Sequence, residues 1–337
     1  MDIQSGNILL VTGGTGLVGS HVLEAAWARG LKTRALVRSA ADAQMLSSWG
    51  CELVEGDLAK PESVKQAVEG ATIIVHCAAK VGDWGPVDGY REVNVGGLKN
   101  LVTACQAFGQ LNRFVHISSL GVYPARDHHG TDESEPINAV GIDGYTLTKV
   151  EAELYLKTQI EKLGFPAVIL RPGFIYGPRD RTVLPRIFER LRKQKFAFLG
   201  TGENLMNNTF VGNLVEAIFL SIERDECLGQ CFNITDGRLV SKKEFISTIA
   251  EQAEYPQPTK HVPLPVARFL AKAMEGTWKL LGKKEAPLLS NARIKFLGLN
   301  LDYSIEKAKR ELRYAPHVDF QEGMKQTIDW FRDQDKL

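Results

Sequence analysis

Six short apolar runs, near 7–12, 32–37, 51–55, 72–77, 112–118 and 166–171, alternate with helix-length segments through roughly the first half of the chain. A tight turn can close an antiparallel pair, but strand, helix, strand alternation requires parallel strands joined by crossover helices. The runs are almost continuously apolar, as in Ile73-Ile74-Val75 and Phe114-Val115-His116-Ile117, which fits strands covered on both faces. The expected fold class is therefore α/β, a doubly wound parallel sheet. Past Pro178 the rhythm changes to longer helical segments such as 182–194 and 241–253, broken by Gly200-Thr201-Gly202 and by Pro256, Pro258, Pro263 and Pro265. This divides the chain into a doubly wound domain over 1–176, to which about 207–235 is expected to return, and a smaller, irregular region over 177–206 and 236–337.

Directly after the first strand comes Gly13-Gly14-Thr15-Gly16-Leu17-Val18-Gly19, and a helical pattern follows through Trp27. Glycines at this spacing let the backbone approach a pyrophosphate, which the free N–H groups of the helix terminus then hold. In a Rossmann-type dinucleotide site, a free ribose 2′-hydroxyl calls for an acid at the end of the second strand. The strand Thr33-Arg34-Ala35-Leu36-Val37-Arg38 ends instead on a guanidinium, which can pair a 2′-phosphate. NADP is favoured over NAD as the cofactor.

Tyr145 and Lys149 lie four apart at the start of a helical stretch, so the phenol and the ammonium share one face. A phenol near pKa 10 exchanges protons poorly at neutral pH, and a neighbouring cation is expected to lower it. Ser118 and Ser119 end the fifth strand, at the sheet edge where such folds place ligands. Either hydroxyl has the chemistry to orient a reacting oxygen.

In this order the motifs resemble the extended short-chain dehydrogenase/reductase family over nearly the whole chain. The resemblance rests on Thr12 to Gly19, on Asp57-Leu58, on Ala78-Ala79, on Asn94, and on Arg171-Pro172-Gly173-Phe174-Ile175-Tyr176-Gly177-Pro178. It implies Ser119, four residues before the tyrosine matched by Tyr123, as the catalytic serine, with Tyr145 as acid/base and Lys149 as its partner. It implies cofactor contacts from Gly13, Thr15, Gly16, Leu17, Val18, Gly19, Arg38, Asp57, Leu58, Ala78, Ala79, Lys80, Asn94, Tyr145, Lys149, Pro172, Gly173 and Ile175. Substrate contacts are expected from Ser119, Tyr145, Phe174 and Trp84.

The branch is narrowed by what is missing. Leu120 and Gly121 follow the serine, and neither can move a proton as a sugar-nucleotide dehydratase requires. The segment Met206 to Asn213 lacks the arginine and paired aspartate of sugar-nucleotide epimerases. Its Thr209-Phe210-Val211-Gly212-Asn213, together with Lys80-Val81-Gly82-Asp83-Trp84-Gly85 and Leu301 to Ala308, resembles 3β-hydroxysteroid dehydrogenases, sterol-carboxylate dehydrogenases and olefin-pathway β-keto acid reductases. The expected function is NADP(H)-dependent interconversion of a hydroxyl and a keto group on a hydrophobic substrate. The alternatives are a sugar-nucleotide epimerase and a non-catalytic NADP(H)-binding redox sensor.

A net charge of +1, from 41 Lys+Arg and 40 Asp+Glu, disfavours a nucleic-acid partner. The amino-terminal residues carry no secretory pattern, and five cysteines without paired spacing read as reduced, so a cytoplasmic location is expected. His128, His129, Asp127 and Asp132 read as a solvated loop rather than a metal site. From 266 to 281, Val266, Phe269, Leu270, Ala273 and Leu281 recur at helical spacing, with Arg268, Lys272, Glu275 and Lys279 on the other side. A lid over the pocket is favoured over a membrane-surface helix. The resemblance also implies a homodimer through the helices carrying Asn94 and Tyr145, with Leu98, Leu101, Val102, Leu147, Val150 and Leu154 as candidate apolar positions.

Overall fold

The computed structural model describes residues 6–138, 143–283 and 285–337. The first half runs β1 (Ile8–Thr12), α1 (Leu17–Ala28), β2 (Lys32–Val37), α2 (Gln44–Ser48), β3 (Glu52–Glu55), α3 (Pro61–Val68), β4 (Ile73–His76), α4 (Val87–Arg91), α5 (Gly97–Phe108) and β5 (Arg113–Ile117). It continues through β6 (His128–Thr131), α6 (Gly144–Leu163), β7 (Ala167–Pro172), β8 (Phe174–Tyr176), α7 (Leu184–Arg192), β9 (Ala197–Leu199), β10 (Leu205–Met206), β11 (Asn208–Phe210) and α8 (Val211–Glu223). The remainder is β12 (Cys231–Ile234), β13 (Val240–Ser241), α9 (Lys242–Gln252), β14 (Lys260–Val262), α10 (Leu264–Leu280), α11 (Asn291–Gly298), β15 (Leu301–Tyr303) and α12 (Phe320–Asp333).

Seven strands form one parallel sheet in the order β12-β7-β5-β4-β1-β2-β3. Along β1 the side chains alternate between two cores: Leu9 and Val11 face α1 and α8, and Leu10 faces α3, α5 and α6. β4 does the same with Ile73 and Val75 against Ile74, and β5 with Val115 and Ile117 against Phe114. Both faces are buried, so both parities must be apolar, and the near-continuous runs follow. Each such fully buried branched side chain contributes roughly 1.5–3 kcal/mol.

The six runs seen in the sequence are β1, β2, β3, β4, β5 and β7, and the doubly wound class holds. The seventh strand, β12, follows α8, which packs beside α1 on the first core. A third core, around Tyr176, Phe188, Phe198, Phe210, Phe245 and Phe320, builds the carboxyl-terminal region. Its strands of two or three residues are too short to show a period in sequence.

Leu98, Leu101 and Val102 are buried in the second core and Val150 in a smaller cluster. They are spent within the monomer; Leu154, 47% exposed, is a large apolar side chain that α6 leaves open to solvent.

Candidate active site

Sequence order reverses direction across the sheet between β1 and β4, and the crevice beyond the carboxyl ends there is where α/β sheets bind ligands. The glycine turn fills that position. Gly13 has φ +73°, and a Cβ there would stand 2.8 Å from the Ala78 nitrogen, while one at Gly19 would collide with the Gly13 carbonyl. Gly16 caps α1 without any side-chain cap, which leaves the helix's first N–H groups open toward an anion. A tight backbone cradle at an uncapped helix terminus fits a dinucleotide pyrophosphate. Leu17, Val18 and Ile175 pack beneath it, and Ala78 comes up from the second core. On the far side, Gly173 approaches the Asn207 carbonyl so closely that only glycine fits, and it donates its N–H to Ile234 and to Thr209 Oγ1, each at 3.1 Å.

After β3, Asp57 Oδ1 accepts from Ala59 N at 2.9 Å, and Leu58 is buried under Gly97. Arg38 follows β2 at the carboxyl edge, exposed and without an ion-pair partner among the described residues.

The two serines after β5 are separated by their partners. Ser118 Oγ is buried and donates to Glu153 Oε1 at 2.5 Å. Ser119 Oγ accepts from Gly121 N at 3.0 Å, and its hydroxyl is near enough to the Tyr145 phenol to lower that phenol's pKa. Only Ser119 faces the phenol. Lys149, 4% exposed, donates from Nζ to the Ile117 carbonyl at 2.7 Å and lies 5.8 Å from the centre of the Tyr145 ring. Asp143 caps α6 by accepting from Thr146 N at 2.8 Å, which fixes where Tyr145 enters the helix.

Burial pushes the Tyr145 phenol up to about 12, against the pull of the Ser119 hydroxyl. Burial likewise draws Lys149 down to about 8, partly offset by Cys77 and Glu153. The expected lowering of the phenol by Lys149 is not what this geometry gives. The ammonium is turned to the Ile117 carbonyl, and desolvation dominates both groups. The phenol consequently keeps its proton at neutral pH.

Asn94 sits in a wide π-type turn, Glu92–Gly96, of the kind that collects at functional sites. Its Oδ1 accepts from Lys80 N at 2.7 Å, and its Nδ2 donates to Lys80 O at 3.1 Å and Thr148 Oγ1 at 2.9 Å. One asparagine thus ties the loop after β4 to the helix of Tyr145 and Lys149.

The family model described as NAD dependent epimerase/dehydratase family matches residues 9–235. The chain belongs to that family. Within the NAD dependent epimerase/dehydratase family, it is similar to the 4-hydroxy-2-methyl-3-oxo-4-farnesyl-3,4-dihydroquinoline-1-oxide ketoreductase of Stigmatella aurantiaca. The two are 32% identical over 316 residues, covering 93% of each chain. It is similar to the 2-alkyl-3-oxoalkanoate reductase of Shewanella oneidensis, 30% identical over 327 residues, 94% of this chain and 84% of that one. In fold it is similar to the UDP-glucuronic acid 4-epimerase from Bacillus cereus, with TM-score 0.76, 20% identity and coverage of 97% and 99%.

Around this NAD(P)-binding site lies a buried network that the sequence did not disclose. Arg171 donates to both Glu153 oxygens, NH2 to Oε2 at 2.5 Å, and to Tyr123 Oη at 2.7 Å. Tyr123 Oη donates to Asn233 Oδ1 at 2.9 Å, and Asn233 N donates to Glu133 Oε1 at 2.6 Å. An acid inside a helical stretch reads as solvated. The usable signal was Glu153 four residues after Lys149, on the face already assigned to the site.

His76 and His116 stack at 5.4 Å in adjacent strands, each 1% exposed. His76 Nδ1 pairs with Thr12 Oγ1 at 2.7 Å, whereas neither ring nitrogen of His116 has a hydrogen-bond partner among the described residues. Burial and the Lys149 charge lower His76 to about 3 and His116 well below its usual value. As pH falls below about 6.5 the unfolded chain takes up protons that the folded one refuses. Stability is therefore expected to drop by about 1.4 kcal/mol per pH unit for each histidine. Urea unfolding at pH 7 and pH 5 measures the slope, and His116→Phe should remove about half of this histidine contribution.

The reading of one residue changes. His128 is not on a solvated loop: it is fully buried in β6, its ring nitrogens pairing with Thr131 Oγ1 and the Pro124 carbonyl, both at 2.9 Å. Trp84 anchors its loop, donating Nε1 to the Lys283 carbonyl at 3.0 Å. Phe174 packs among Phe245 and Phe296, with ring centres at 5.6 and 5.1 Å.

Proposed function

We propose that this chain is an NADP(H)-dependent oxidoreductase that interconverts a hydroxyl and a keto group on a hydrophobic substrate, a β-keto acid or sterol-like compound. The observation that carries the reading is Ser119 facing the Tyr145 phenol, with Lys149 Nζ 5.8 Å from the phenol ring and held by the Ile117 carbonyl, at the carboxyl edge of the sheet beside the glycine cradle. A bound nicotinamide supplies or accepts the hydride. Tyr145 Oη gives the proton to the reacting oxygen in reduction and takes it back in oxidation, while Ser119 Oγ holds that oxygen. Lys149 and Asn94 hold the helix and loop that would frame a bound nicotinamide ribose. A redox sensor has no need of this proton-transfer set.

The epimerase alternative requires a cation in the segment 206–213 to anchor a diphosphate. Here Asn208 and Asn213 both donate inward to Asp236, at 2.9 and 2.8 Å, so the segment is spent on holding its own loop. The hydrophobic substrate follows the two similar reductases, one named for a farnesylated dihydroquinoline oxide and one for a 2-alkyl-3-oxoalkanoate.

The choice of NADP is supported by Arg38, which follows β2, is exposed and unpaired among the described residues, and has the chemistry to pair a 2′-phosphate. Nicotinamide absorbance with NADPH and NADH, against a panel of β-keto acids, hydrophobic ketones and sterols, tests the reading. NADPH should be oxidised preferentially, and Arg38→Ala should raise the KM for NADPH by about 10- to 100-fold, the worth of a charge-assisted hydrogen bond, with little change for NADH. Equal KM values before and after the substitution would return the site to NAD. A homodimer through α5 and α6 is part of this reading, supported by exposed Leu154 and by the Arg91–Glu151 pair that borders it. A cytoplasmic setting is supported by the five free cysteines.

A further inference from the structure

α10 has two apolar faces, and the richer one points outward. Its inward stripe is small: Ala267 and Ala271 are fully buried against Leu199 and Ile294. On the other side Val266, Phe269, Leu270 and Leu280 are 47%, 72%, 41% and 87% exposed, and Leu281 just beyond is 61% exposed. The residues whose spacing announced an amphipathic helix are therefore left uncovered by the fold.

The charges around that face have one sign. Arg268, Lys272 and Lys279 are exposed without ion-pair partners among the described residues, and the 3.6-residue period puts them on one strip beside the apolar one. The single acid of the helix, Glu275, turns inward and accepts from Asn291 N at 2.6 Å and Asn291 Nδ2 at 2.8 Å. The end of α10 is tied to the active-site loop, since Trp84 Nε1 reaches the Lys283 carbonyl and Lys80 of the same loop is held by Asn94.

We propose that α10 is a membrane-surface helix that seats the enzyme on an anionic lipid bilayer, with Phe269 and Leu280 entering the headgroup boundary and the basic strip against lipid phosphates. No described helix is long and apolar enough to cross a membrane, so the contact is peripheral. A second copy is the poorer occupant: two-fold pairing on this face would set the unpaired cations of both chains together with no acid to answer them. The inference does not depend on the reaction assigned above.

The test is co-sedimentation of the full chain with phosphatidylcholine vesicles, with and without phosphatidylglycerol, at low and high salt. Binding should rise about tenfold or more with the anionic lipid and fall with salt. The pair Phe269→Gln and Leu280→Gln should abolish it at an unchanged melting temperature. The triple replacement Arg268→Gln, Lys272→Gln, Lys279→Gln provides a second route, removing the lipid-charge preference alone. Absence of vesicle binding by the unaltered protein overturns the proposal, as does undiminished binding in both variants. Self-association that the Phe269/Leu280 variant loses, without vesicle binding, gives the face to a second copy.

Discussion

Replacing Tyr145 with Phe is expected to lower turnover by about 10²- to 10⁴-fold, the span of a lost general acid. The ring remains to pack beside Lys149, and what disappears is the phenol oxygen that faces Ser119. Because burial raises that phenol's pKa, it carries its proton at neutral pH. The loss should therefore fall on kcat, while NADPH affinity, read by protein fluorescence quenching, stays within a factor of about two, since no cofactor phosphate contact is touched. Steady-state kinetics with any ketone that the unaltered protein reduces provides the check. Full turnover in the Phe variant would remove Tyr145 from the chemistry.

Removing Glu153 should produce the largest stability effect. Glu153 and Arg171 are 0% and 1% exposed, and the guanidinium makes its bidentate contact there. Glu153→Ala leaves a buried cation with only Tyr123 to accept from it and frees Ser118, at an expected cost of about 3–5 kcal/mol. The double replacement Glu153→Met with Arg171→Met should recover most of that loss, because a neutral pair needs no charge compensation. Denaturant midpoints of the unaltered protein and the two variants decide. A loss below about 1 kcal/mol in Glu153→Ala would mean that the pair is not the anchor of this region. Ser118 adjoins Ser119, so the same substitution should also disturb turnover in the molecules that remain folded.

The parallel sheet was legible because burial on both faces forces a distinctive pattern, and its glycine turn because only glycine tolerates that backbone path. Ser119, Tyr145 and Lys149 were legible as chemistry, and the structure brings them together. Their electrostatics were not. A four-residue spacing puts an ammonium near a phenol, but it cannot foretell that the ammonium turns to the Ile117 carbonyl. The Glu153–Arg171–Tyr123–Asn233 chain joins residues from four separated segments, and no local pattern marks such a meeting.

α10 gives the complementary lesson. Periodicity reveals that a helix has an apolar side, while the direction of that side depends on its neighbours. Ala267 and Ala271, which add little to any hydrophobic pattern, are what α11 and β9 pack against. The larger residues stayed outside. His128 failed for a related reason: flanked by acids and another histidine it reads as solvated, yet pairing of β6 with β15 buries it.

The most direct test of the central claim is isotopic. The unaltered protein would be incubated with NADPH carrying deuterium at the transferable nicotinamide position and a hydrophobic β-keto acid, and the product analysed by mass spectrometry. The account predicts one deuterium on the new carbinol carbon for each NADPH consumed, with the proton on the oxygen exchangeable with water. Interconversion of UDP-sugars with no NADPH consumed and no label in any keto substrate would contradict it and establish the epimerase alternative.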